Sequence, residues 1–166
     1  MENKDNLLIQ ELEQYRDIMP PGRQRKYYDI VLEMVEPIEV VSLSEVFTVE
    51  EIEEIKRQIN PKKKECFKNA MRLAMDFDDV KYVEGRLLLA DAFGTEHAFN
   101  KVGDKYIDIT MELALGNDVR KEQYIKIAEY SRERAIEELI HNQCYTNITD
   151  RIIWEERIKK ENKDGL

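Results

Sequence analysis

Three side chains in this 166-residue chain have the types and the order of an activated thiol. Cys66 heads the stretch Cys66-Phe67-Lys68-Asn69-Ala70-Met71-Arg72-Leu73-Ala74, whose apolar spacing predicts a helix beginning on the cysteine. His97 follows in Glu96-His97-Ala98-Phe99-Asn100, and Asp108 in Lys105-Tyr106-Ile107-Asp108-Ile109-Thr110. A thiol, a base and a carboxylate that orients the base are the parts of nucleophilic catalysis on a carbonyl. A thiol in the first turn of a helix feels the positive end of the macrodipole, which favours the thiolate. Free backbone N–H groups at the same helix start can hold a developing oxyanion. Lys62-Lys63-Lys64 adds positive charge just upstream.

Whether His97 and Asp108 can meet is testable from spacing. Gly103-Asp104 between two alternating runs is a hairpin signal. With those two as loop residues, Val102 faces Lys105, Phe99 faces Asp108 and His97 faces Thr110. His97 and Asp108 then share a sheet face as diagonal neighbours, with backbones about 7–8 Å apart. The opposite face carries Ala98, Val102, Ile107 and Ile109, an apolar set that reads as core. Buried polar groups need partners, and His97 and Asp108 would satisfy each other.

The remaining elements must position these three. Leu7, Leu8, Leu12, Tyr15 and Ile18 make a helical stripe over residues 4–18, stopped by Pro20-Pro21-Gly22. A second helix carries Tyr27, Tyr28, Ile30, Val31, Met34 and Val35 and ends before Pro37. Residues 38–43 read equally as an edge strand or a packed loop. Thr48-Val49-Glu50-Glu51 is a capping box opening a helix to about Ile59. The Cys66 helix is apolar on most sides, leaving a polar strip of Lys68, Asn69, Arg72 and Asp76, so it is expected in the middle of the fold. Alternation then predicts strands over 80–89, 96–102, 105–110 and 124–127, with Gly94 marking a turn. Helices return at Ser131–Ile140, with Ala135, Ile136, Leu139 and Ile140 inward, and at Asp150–Lys160. The expected class is α+β: an antiparallel sheet of about four strands, a central buried helix carrying Cys66, and flanking N- and C-terminal helices. The whole of 1–166 reads as a single domain, with a helical region 1–59, a core 60–128 and C-terminal helices 129–166.

Composition narrows the function classes. The chain holds 35 acidic against 26 basic side chains, a formal charge of −9. That disfavours nucleic acid or an anionic membrane as partner, since both call for a basic footprint. No apolar signal region opens the sequence and no apolar run could span a bilayer, so the expected location is cytoplasmic, or inside a host cell if the protein is delivered. Two cysteines, Cys66 and Cys144, read as reduced thiols. His141 and Cys144 lie near each other without the spacing of a zinc site, and no phosphate loop or dinucleotide fingerprint is present. Glu84 and Glu96 could polarise the site or bind an amine, although strand carboxylates are usually solvated.

In this order, Cys at a helix start, His on one strand and Asp on the next, the chain resembles the papain-like fold in its transglutaminase-like arrangement. Cys66-Phe67-Lys68-Asn69-Ala70 resembles that group's Cys-aromatic-x-Asn-Ala helix start, and Tyr82-Val83-Glu84-Gly85 the strand after it. Glu96-His97-Ala98-Phe99 is similar to its His-Ala-Trp strand, and Tyr106-Ile107-Asp108-Ile109-Thr110 to its Asp-Pro-Thr strand. Phe99 stands where that pattern has Trp, and Ile109 where it has Pro. The resemblance covers residues 60–128 and looks like a small bacterial or phage type. It implies Cys66 as nucleophile, His97 as general base and acid, and Asp108 as its orienter. It also implies a polar amide for the oxyanion or substrate, with Asn60, Gln58 and Asn69 as candidates, and no metal or cofactor. The implied activity is a thiol-dependent hydrolase or acyl transferase acting on an amide, peptide or ester bond of a protein, peptide or small amide. The alternative is a non-catalytic interaction module, of this or another α+β fold, working through its acidic helical surface.

Overall fold

The computed structural model describes residues 6–89 and 93–160. Helix α1 (Leu7–Ile18) is capped by Asn6, whose Oδ1 accepts the N–H groups of Leu8 and Ile9 at 3.0 and 3.1 Å. Positions 4 and 5 of the expected helix lie outside the described residues. Helix α2 (Arg23–Met34) packs on α1 after the proline break, burying Leu8, Ile9 and Leu12 against Ile30 and Val31. The ambiguous stretch after it is both things in turn. Strand β1 (Glu36–Ile38) pairs with a later strand, then Val40 makes an isolated bridge to Tyr106 and Leu43–Glu45 turns helically. Helix α3 (Val49–Gln58) starts on the expected capping box, with the Thr48 and Glu51 side chains each accepting the other's backbone N–H.

Helix α4 (Cys66–Asp76) leads into β2 (Val80–Leu89), β3 (Phe93–Val102), β4 (Lys105–Ile107) and β5 (Tyr124–Tyr130). The sheet has five strands rather than about four, because β1 adds to one edge; the order is β1-β5-β2-β3-β4, and all named pairings are antiparallel. Gly94 does not mark a turn. It lies inside β3 opposite Leu88, and any Cβ there would sit 2.4 Å from a Glu11 carboxylate oxygen, so its small size serves close packing of α1 on the strand. The sheet curls until the chain beyond β1 reaches the other edge, where the Val41 N–H donates to the Tyr106 carbonyl at 2.9 Å. A bulge at Glu84/Gly85 helps it do so. The Ile125 carbonyl fills the space where a Gly85 Cβ would stand, only 1.9 Å away.

The hairpin register is the expected one: Val102 pairs with Lys105, Lys101 with Tyr106 and Asn100 with Ile107. The ladder stops there, so the further pairs Phe99–Asp108 and His97–Thr110 do not form; the reason lies in Asp108 itself, described below. The two sheet faces divide as the alternation requires. Tyr82, Ala98, Ile107 and Ile109 form one core with Ala70, Met71, Leu73 and Ala74 of α4. Val83, Leu87, Phe99 and Tyr124 fill the concave interior with Val40 and Met111.

Helix α5 (Arg132–Asn142) is capped by the Ser131 hydroxyl, which accepts the Arg134 N–H at 3.2 Å. Its inward stripe runs through Ala135, Glu138 and Leu139, with Ile136 half-buried. Ile140, expected inward, is 70% exposed, because that stripe turns it one position past the packed side. Helix α6 (Thr149–Ile152) continues into the wider helical turn Ile153–Ile158, whose Ile153 and Ile158 bury against α1 and α2. No helix among the described residues is long and apolar enough to cross a membrane.

Candidate active site

The site grows from the place where β4 ends. Asp108 directly follows Ile107, and its Oδ1 accepts the backbone N–H groups of Thr110 and Met111 at 3.1 and 3.2 Å. An aspartate that binds the backbone ahead of it folds the chain into a turn, which here takes Thr110–Ala114 out of the ladder and into a helical turn. The other oxygen, Oδ2, meets His97 Nε2 at 2.6 Å and accepts the Tyr124 hydroxyl at 2.8 Å. Four donors surround a carboxylate that solvent does not reach. His97 is also buried, its ring stacked on Phe99 at 6.2 Å and tilted against Tyr124 at 6.2 Å.

Cys66 is the first residue of α4, half-buried, with its thiol free, as is that of Cys144. The body of α4 does not lie over the His97 face. It packs on the opposite one, where the Asn100 amide donates to the Ala70 carbonyl at 2.8 Å and Ala98 joins the α4 core. Apolar Tyr82, Ala98 and Ile107 make that the face a helix can bury. β4 pairs only with residues 100–102, which leaves the edge of β3 beside His97 without a strand among the described residues. The Cys66 sulfur is close enough to this ring to help raise its pKa. With Nε2 committed to Asp108, Nδ1 is the nitrogen left for it.

The electrostatics follow from burial and these two neighbours. Desolvation pushes the His97 pKa down, but the Asp108 carboxylate and the Cys66 sulfur outweigh it and raise it to about 10. His97 therefore rests as an imidazolium at neutral pH. No side chain caps α4, so the N–H groups of its first turn stay available at the thiol.

The candidate amides fall elsewhere. Gln58 is exposed, its side-chain amide donating to Glu54 at 2.8 Å along its own helix. Asn60 is exposed, in a left-handed conformation with φ of 48°. Asn69, read as part of a polar strip, is buried: its Nδ2 donates to the Lys62 carbonyl at 2.8 Å and to Thr110 Oγ1 at 2.9 Å. It thus ties the start of α4 to the turn built on Asp108. Of the strand carboxylates, Glu96 is exposed, whereas Glu84 is not solvated at all. Glu84 is 2% exposed and accepts from Ile148 N, Thr149 N, Thr149 Oγ1 and the Tyr82 hydroxyl, clasping α6 to β2. Burial raises its pKa and these donors oppose the rise.

Sequence reasoning missed Tyr124, which it read only as the start of a strand, and Asn100, which it did not weigh. A tyrosine and an asparagine at strand positions that alternation assigns to buried faces were the available signal. Among the described residues no three or more His, Cys, Asp or Glu side chains gather as a metal would need. Comparison with family models, with curated proteins and with solved structures returned no match for this chain.

Proposed function

We propose that the protein is a thiol-dependent acyl-transfer enzyme of the papain-like, transglutaminase-like kind, cleaving or exchanging an amide, peptide or ester bond. The observation that carries this reading is the buried His97 Nε2–Asp108 Oδ2 contact of 2.6 Å, with the Cys66 thiol as the ring's other neighbour. The Cys66 thiolate attacks the carbonyl carbon, and the electron pair of the C=O bond moves to oxygen. That oxyanion is held by backbone N–H groups at the α4 start. As the tetrahedral intermediate collapses, the His97 imidazolium gives its proton to the leaving amine or alcohol, and Cys66 remains acylated.

The raised pKa of His97 suits both halves of the cycle. An imidazolium is the acid that the first half needs. Acylation caps the sulfur, one of the causes of that raised pKa, so the ring becomes a readier base. It then takes a proton from water or an acceptor amine, whose attack on the thioester returns the thiolate. Asp108 holds the ring through both steps, and Tyr124 holds Asp108.

The test uses p-nitrophenyl acetate as a non-specific acyl donor. Wild type releases p-nitrophenol in a burst of one equivalent per chain and carries the acetyl group on Cys66, read by mass spectrometry. Cys66→Ala shows neither, and His97→Gln acylates slowly. A burst of the same size in Cys66→Ala would overturn the proposal.

A further inference from the structure

The Lys62-Lys63-Lys64 run directly ahead of Cys66 stands out in a chain of formal charge −9. All three side chains are exposed, and none of the three ammonium groups has a carboxylate within ion-pair distance among the described residues. In the next turn Lys68 meets Glu65 only at 3.8 Å. Elsewhere buried and half-buried cations are paired closely, as in Arg86–Glu11 at 3.1 Å and Lys126–Glu36 at 2.8 Å.

The run is also fixed in place. Lys62 N–H donates to Asn69 Oδ1 at 3.3 Å, while its carbonyl accepts from Asn69 Nδ2 at 2.8 Å and from the Glu65 N–H at 3.3 Å. Lys64 is held left-handed with φ of 63°. The same asparagine that ties α4 to the Asp108 turn therefore fixes the backbone from which these lysines project, just ahead of Cys66. Between Asn60 and Lys68 four lysines stand against one carboxylate, Glu65, on an otherwise acidic molecule.

We infer that the site selects acyl donors carrying negative charge next to the reacting carbonyl, specifically peptide segments with Asp or Glu flanking the scissile amide, with Lys62, Lys63 and Lys64 as the specificity-determining residues. This rests on the thiol reading of Cys66. A carboxylate about 8 Å from one solvated ammonium gains roughly a two- to threefold local enrichment at low salt, so three such charges give about tenfold. The gain fades once added salt shortens the screening length below that distance.

The experiment alkylates the full chain with anionic iodoacetate and with neutral iodoacetamide, following each cysteine separately by mass spectrometry. The exposed Cys144 is the internal reference. The quantity read is the iodoacetate-to-iodoacetamide rate ratio at Cys66 divided by that at Cys144. In wild type it exceeds one at low salt and falls toward one in high salt. In the combined variant Lys62→Glu, Lys63→Glu, Lys64→Glu it drops about a hundredfold, because each reversal changes two units of charge. The combined Lys→Gln variant falls between, and stands in for it should the charge-reversed protein lose its circular dichroism signal. An unchanged ratio in the folded variants, with Cys66 still outpacing Cys144 toward iodoacetamide, overturns the inference and leaves the thiol reading standing. Should Cys66 react no faster than Cys144 with either reagent, the thiol reading fails and takes the inference with it.

Discussion

Tyr124 and His97 meet on one atom: the Tyr124 hydroxyl and His97 Nε2 lie 2.8 and 2.6 Å from Asp108 Oδ2. They come from two strands that are not neighbours, since β2 stands between β5 and β3. The carboxylate thus bridges the concave side of the sheet, and its other oxygen is held by the turn that ends β4.

This makes Tyr124 a positioning residue whose loss should be graded, not absolute. Tyr124→Phe removes one donor and keeps the ring that packs on Phe99 at 5.5 Å. The expected cost is about 1–2 kcal/mol in urea unfolding. The expected fall in the Cys66 acylation rate is about tenfold, well short of the loss in Asp108→Ala. Equal losses in the two variants would mean that Tyr124 does more than hold the carboxylate.

The pH dependence of stability has a definite sign. The folded-state pKa of His97 is raised above its ordinary 6.5, to about 10. Its contribution is therefore fully present below about pH 6.5 and is lost as pH rises through 10. Urea midpoints should decline between pH 7 and 9.5, and that decline should flatten in His97→Gln. A wild-type slope equal to that of the variant would show that the imidazolium is not favoured by folding.

Much of this site is legible before any coordinates. The Gly103-Asp104 turn sets a register that the structure keeps, and alternation alone puts His97 with Phe99 and Tyr106 on one face and Ala98 with Ile107 on the other. Where the ladder ends is not legible. Asp108 can equally continue a strand or cap a turn, and the choice depends on Tyr124 and His97 supplying partners for its second oxygen. The route of the thiol to the ring was also hidden. Helix α4 buries against the more apolar face, opposite the one that carries the His97 ring. Glu84 misled for a related reason: a strand carboxylate reads as solvated when its partners, Ile148 and Thr149, stand more than 60 positions away.

Glu84 gives the next prediction. Its carboxylate accepts two backbone N–H groups at the start of α6 and two hydroxyls. Glu84→Ala leaves these buried donors without partners, at about 3 kcal/mol or more. Hydrogen exchange should then rise first at the Ile148 and Thr149 amides. Protection at those amides unchanged from wild type would show that the clasp is not what holds α6.

Asn69 separates positioning of the thiol from integrity of the His97–Asp108 pair. Its amide spans the Lys62 backbone and the Thr110 hydroxyl, so it fixes where α4 begins relative to the Asp108 turn without touching His97 or Asp108. Asn69→Ala should cost about 1–3 kcal/mol of stability through the unpaired Lys62 groups. It should also lower the alkylation rate of Cys66 by about tenfold or more, because an error of an ångström in placing a nucleophile is costly. The decline of stability above pH 7 should persist but be shallower, since Asp108 still holds the histidine while the displaced Cys66 sulfur contributes less. Asn69→Asp is the informative companion. It keeps the acceptor for the Lys62 N–H but has no amide donors for the Lys62 carbonyl and Thr110, so its alkylation rate should resemble that of the alanine variant. Wild-type reactivity in both would mean that the first turn of α4 is set by the packing of Ala70, Leu73 and Ala74 alone.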